Sequence, residues 1–113
     1  MNDCLFCKII AGEIPSTKVY EDDFVYAFLD IEPQAPFHAV VVPKVHITSA
    51  SEINSDNSMY VAKIYEAIAK NAKLEKLDGG FRVVTNCGKD GGQTVGHLHF
   101  HLLARRYLQW PPG

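Results

Sequence analysis

Apolar and polar positions along this chain change period several times, and each change marks an element. Leu5, Phe6, Ile9 and Ile10 fall on one side of a short helix over residues 4–11. Asn2 or Asp3 can cap its start, Gly12 can end it, and Pro15 forbids continuation. Two β-like runs follow, 17–20 and 24–29, joined as a hairpin by the acidic turn Glu21-Asp22-Asp23. Pro33 and Pro36 make a loop before a strongly strand-like run over 37–42, which Pro43 closes.

Residues 54–57 offer N-cap candidates. Beyond them Met59, Ala62, Ile64, Tyr65, Ile68 and Ala69 recur at helical spacing up to about Leu74. Asp78-Gly79-Gly80 is a turn, 81–85 a strand, 88–92 a glycine-rich loop, and 97–103 the last strand. Short connections between neighbouring strands favour an antiparallel sheet and an α+β class over repeated βαβ units. No repeat, low-complexity tract or linker divides the chain, so residues 1–113 are expected to form one domain.

Composition narrows the function classes. The 11 basic and 13 acidic residues leave a net charge of −2, against the basic face of a nonspecific nucleic-acid binder. A small anionic ligand stays open, because it needs only a few donors. No apolar run approaches the ~20 residues of a membrane span, and the start lacks the basic and apolar regions of a secretory signal. The odd count of 3 cysteines is not an extracellular disulfide framework, so a cytoplasmic setting is expected.

Candidate chemistry concentrates on the last strand. Side chains two apart share a face, so His97, His99 and His101 point one way and Leu98, Phe100 and Leu102 the other. Imidazole titrates near neutrality and serves as nucleophile, acid, base or metal ligand. A polar sheet face and a tris-histidine metal site are the competing readings of this spacing. The preceding segment, Cys87-Gly88-Lys89-Asp90-Gly91-Gly92-Gln93-Thr94, lets backbone N–H groups converge into an anion nest, although it is not a P-loop. Glycines alone make turns; beside three histidines they read as a phosphate cradle.

His97-Leu98-His99-Phe100-His101-Leu102-Leu103 resembles the signature of the histidine triad family, with histidine and apolar residues alternating. The likeness extends over nearly the whole chain, through Phe6-Cys7-Lys8-Ile9-Ile10, Glu13-Ile14-Pro15, Tyr20-Glu21-Asp22-Asp23, Phe28-Leu29-Asp30-Ile31, His38 to Lys44, Asn86 and Gly92-Gln93-Thr94-Val95. The terminal Trp110-Pro111-Pro112-Gly113 is similar to the nucleoside phosphoramidase branch. The resemblance implies a sheet of about five antiparallel strands and a homodimer with joined sheets. It implies that His99 attacks the α-phosphorus of a nucleotide, that a nucleotidyl-histidine forms, and that water releases the monophosphate. His101 and His38 would orient His99, while Gln93, Thr94 and His97 would donate to the phosphoryl oxygens. Asn86 would contact phosphate or ribose, Asp30 the ribose hydroxyls, and Phe6, Ile9 and Ile31 would line a flat apolar pocket suited to a purine. Taken singly, Asp30 is a turn residue, His38 a strand histidine, and Phe6, Ile9 and Ile31 core.

Cys4-x-x-Cys7 has metal-ligand spacing of its own and needs two further ligands, His46 being a good third. Some members of the family bind structural zinc through residues corresponding to Cys4, Cys7, His46 and His97. The alternative is a pair of packed thiols. Cys87 reads as a small residue beside a strand, and Arg105 and Arg106 as solvated charges at a strand end.

The resulting expectation is a phosphoramidase that releases a nucleoside monophosphate and an amine. Its rivals are a dinucleoside polyphosphate hydrolase and a zinc-stabilised nucleotide-binding module with little turnover. Neither nucleic acid nor membrane is an expected partner.

Overall fold

The run over 37–43 is apolar apart from His38, and all of it is buried. In a computed structural model, which describes residues 3–113, helix α1 spans Leu5–Ile10, followed by β1 (Lys18–Glu21), β2 (Val25–Leu29) and β3 (Phe37–Pro43). Helix α2 (Met59–Leu74), β4 (Phe81–Val84) and β5 (Phe100–Ala104) complete the chain, with a 3₁₀ turn at Ala50–Glu52. All pairings are antiparallel, in the order β1-β2-β3-β5-β4. The expected α+β architecture with five strands is therefore present.

One sheet face carries Val25, Ala27, Phe37, Ala39, Val41, Phe100 and Leu102, packed against Ile64, Ala67 and Ile68 of α2. The other carries Tyr26, Phe28, Val40 and Val42 beneath Phe6 and Ile9 of α1. Alternation along β3 and β5 puts His38 and His101 on that second face. Helix α1 has only 6 residues, too few to cover a five-stranded sheet. The uncovered part is where the histidines lie.

Element edges differ from the sequence expectation in three instructive places. Asp3 does not cap α1 (Asn2 lies outside the described residues); Cys4 does, its Sγ accepting from the Cys7 N–H at 3.4 Å. Asn54 and Asn57 do not cap α2. They close a turn on each other, Asn57 Oδ1 accepting from the Asn54 N–H and Asn54 Oδ1 from the Asp56 N–H, each at 2.8 Å. Ser58 then starts the helix with no side-chain cap. Third, the β5 ladder begins at Phe100 rather than at position 97. Pro43 has no N–H to extend the pairing, so local side chains take over: Thr85 donates to His99 O at 2.7 Å, and the His99 ring to His97 O at 2.7 Å.

Candidate active site

Main-chain partners decide where each ring proton sits. A carbonyl only accepts, so the 2.7 Å contact of His99 Nδ1 with His97 O places the proton on Nδ1. His99 Nε2 keeps its lone pair. An amide N–H only donates, so His38 Nδ1, 3.0 Å from the Gln34 N–H, is an acceptor. His38 therefore carries its proton on Nε2 and donates it to His101 Nδ1 at 2.8 Å. His101, in turn, holds its proton on Nε2. The same logic applies to His97, whose Nε2–H donates to Pro43 O at 3.0 Å and whose Nδ1 lone pair points the other way.

Burial favours the neutral form of His101, His38 and His97. Burial holds His101 down to about 4, helped by the neighbouring His99 and His38, with Asp30 opposing. Burial also lowers His38, against the pull of Asp30, whose Oδ2 is 3.5 Å from its Nε2. His97 is lowered by burial first, with the Pro43 carbonyl opposing and His46 and His99 assisting.

A cavity of about 340 Å³ opens in front of His99 and His101. Phe6, Ile9 and Ile31 line its apolar part, Asp30 one polar edge, and Asn86 and Thr94 another. The Phe6 ring stands edge-on to His99 with centroids 5.0 Å apart. Ile31 is 96% exposed at the rim. The Asp30 Oδ1 accepts from the Glu32 N–H at 2.8 Å, which fixes the carboxylate.

Three of the sequence candidates are placed elsewhere. Gln93 donates to Thr48 O and Val95 O and accepts from the Gly88 N–H, so its amide braces the glycine loop from behind. His97 is fully buried and directed away from the cavity. His38 stands behind His101 and bonds that ring rather than His99, whose own hydrogen bond goes to the His97 carbonyl. The loop itself depends on glycine: a Cβ on Gly91 would meet Cys87 O at 2.5 Å, and Gly92 has φ +80°. Asn86 Nδ2 donates to Gly91 O at 2.6 Å and closes the turn toward the cavity. Gln34 and Thr85 escaped the sequence reading. Gln34 acts through its amide, which leaves no residue-type signal.

A second cluster lies where α1 meets the histidine strand. The donor atoms of Cys4, Cys7, His46 and His97 all lie within 4.8 Å of one another. Sulfur to Nδ1 distances are 3.3 Å for Cys4–His97, 3.4 Å for Cys7–His46 and 3.5 Å for Cys7–His97. A tetrahedral zinc ion with its usual Zn–S and Zn–N bonds has S···N edges of roughly 3.5 Å. The donor set fits that ion in chemistry, spacing and the direction of the His97 lone pair. Asp30, His38 and His101 also converge within 4.8 Å. There the Gln34 amide fixes the His38 proton on Nε2, between the candidate ligands, and the trio is a hydrogen-bonded relay instead.

Comparison with known proteins settles the family. The sequence model of the HIT domain matches residues 11–108. This chain belongs to the HIT domain family. Among its relatives is a 14 kDa zinc-binding protein of Brassica juncea, 47% identical over 119 residues, covering 98% of this chain and 100% of the relative. The adenylylsulfatase HINT1 of Arabidopsis thaliana is 44% identical, over 96% of this chain and 76% of that protein. Of solved structures, a HIT family hydrolase from Legionella pneumophila superposes with TM-score 0.95 at 48% identity, over 98% of this chain and 100% of that one. A histidine triad protein from Clostridium difficile gives 0.93 at 54%, over 96% of each. These likenesses agree with the five-stranded HIT fold. No helix among the described residues is long and apolar enough to cross a membrane.

Proposed function

We propose that this HIT protein is a nucleotide hydrolase in which His99 Nε2 attacks the α-phosphorus, with phosphoramidates of purine nucleosides as substrates. The observation that carries the reading is the single available lone pair on His99 Nε2, fixed by its own strand's carbonyl and facing the cavity. Phe6, Ile9 and Ile31 suit a flat base, and Asp30 suits the ribose hydroxyls. Asn86 and Thr94 are the polar side chains nearest the glycine loop, on the phosphate side.

The reaction balances as two displacements. His99 Nε2 forms a bond to phosphorus while the P–N bond to the amine breaks, its electron pair going to nitrogen. Water then attacks phosphorus and restores His99. The departing nitrogen takes a proton from the site as the P–N bond breaks; in the second displacement the water gives up a proton that replaces it, and its oxygen stays on the nucleoside monophosphate. His101 Nε2–H faces the leaving group and hydrogen-bonds it, held in register by the Gln34–His38 relay. His97 serves by position: its carbonyl sets the His99 tautomer. Gln93 serves by shaping the loop.

Zinc is the metal the Cys4, Cys7, His46 and His97 set would take, and names of relatives such as the Brassica zinc-binding protein support it. Its contribution there is structural, because four protein donors leave no open position. Exposed Phe81, Tyr107 and Trp110 around the unpaired edge of β4 support a homodimer with joined sheets.

Steady-state hydrolysis of an adenosine phosphoramidate, a diadenosine polyphosphate and adenylyl sulfate tests the reading. The expected result is amine release by the wild type and loss of roughly 10³-fold or more in His99→Ala. A preference for the diadenosine substrate, or for adenylyl sulfate as in the Arabidopsis relative's name, moves the assignment within the family. No turnover of any of the three overturns the enzyme reading.

A further inference from the structure

Arg82 and Arg106 bring two guanidinium groups into one cavity beside His101. Cross-strand pairing sets this up. Arg82, Leu103 and His38 form one row across the sheet, and Val84, His101 and Val40 form the next. Residues in a row share a face, so Arg82 lies on the histidine side, about 7 Å along from His101. A cavity of about 480 Å³ occupies this region, lined by Gln34, Arg82, His101, Arg106, Leu108 and Gln109 among others. His101 lines both this cavity and the one in front of His99.

The two guanidinium groups are positioned but not neutralised. Arg82 donates to Gln109 O at 2.9 Å and Leu108 O at 3.0 Å, and stacks on Trp110. Arg106 donates to Gln34 O at 3.0 and 3.1 Å and to Tyr107 O. Among the described residues neither has a carboxylate partner, whereas the adjacent Arg105 pairs with Glu75. Carbonyls occupy some of the five N–H groups of each and leave the rest available. Arg106 is therefore not simply a solvated charge at a strand end. Its partner carbonyl belongs to Gln34, whose amide holds His38.

From these positions we infer that the cavity behind His101 is the leaving-group subsite, and that Arg82 and Arg106 select leaving groups bearing an oxyanion. This rests on reading His99 as the nucleophile. In-line attack expels the leaving group away from His99, past His101, into this space. The shared ligand chemistry is a carboxylate, sulfate or phosphate carried on the departing fragment.

The test compares adenosine phosphoramidates of glycine and of glycinamide, which differ in the carboxylate, alongside adenylyl sulfate and a diadenosine polyphosphate. The glycine compound is expected to be favoured roughly tenfold in kcat/KM, with the preference shrinking as salt rises. In Arg82→Gln and Arg106→Gln the glycine-to-glycinamide ratio falls toward one. The ratio is the readout because Arg106 also supports His38, so its variant slows both substrates. Arg106→Lys keeps part of the preference. If instead only adenylyl sulfate or the polyphosphate loses rate selectively in the variants, the subsite takes an inorganic oxyanion. Equal wild-type rates on all anionic and neutral substrates, insensitive to salt, overturn the subsite alone. No turnover of any substrate overturns the hydrolase reading beneath it.

Discussion

Single residues owe their chemistry here to the groups the fold packs against them. His101 is the clearest case, because burial and neighbouring imidazoles depress it to about 4, while the unfolded chain titrates near 6.5. The unfolded state binds the extra proton first, so this group's stabilisation is complete above about pH 6.5. It is then lost progressively as pH falls toward 4. The loss is at most about 3 kcal/mol. Urea unfolding at pH 7 and pH 5 should therefore show a larger drop in the wild type than in His101→Gln; equal drops would refute the assignment. At the same scale, Gln34→Pro removes the N–H that fixes the His38 tautomer. It should lower kcat by roughly 10²-fold with smaller change in KM. Gln34→Ala, which keeps the amide, should stay near wild type.

Elements show where a short helix finds its stability. Six residues are too few for an independent helix. Helix α1 is held by Phe6 and Ile9 on the sheet and by the cluster of Cys4, Cys7, His46 and His97. Chelation of zinc loaded into this cluster, or Cys7→Ser, should lower the melting temperature and accelerate amide exchange within α1 before α2. Nucleotide affinity should fall with it, because Phe6 and Ile9 line the cavity. Unchanged exchange in α1 after complete metal removal would count against this role. Helix α2 behaves as an ordinary amphipathic helix: Ile64 is fully buried, and Ile64→Ala should cost about 2–5 kcal/mol in denaturant unfolding. The periodicity of α2 and the strand over 37–42 were legible in the sequence. The caps were not, since cysteine is not a residue type that signals a cap, and Asn54 and Asn57 spend their side chains on their own turn.

For the whole molecule, β4 leaves one edge of the sheet unpaired, with Phe81 on it and Tyr107 and Trp110 exposed nearby. Phe81→Glu should shift the sedimentation of the protein toward the monomer if two sheets join along that edge. A wild type that sediments as a monomer at micromolar concentration would contradict the dimer.

Strand alternation and element class were set by local sequence, because a side-chain period of two or 3.6 is a property of the backbone. The three same-face imidazoles, the Cys-x-x-Cys spacing and the glycine loop follow from that periodicity and from residue type alone. Tertiary structure decided how the histidines divide their work. His97 turns to the cysteines, His99 faces the cavity, and His101 leans on His38. It also decided that Gln93 is a brace and that Arg82 and Arg106 share a cavity. Each of these depends on a carbonyl, an amide or a sheet row brought from a distant part of the chain. Proton placement is settled by the partner, and the partner is supplied by the fold.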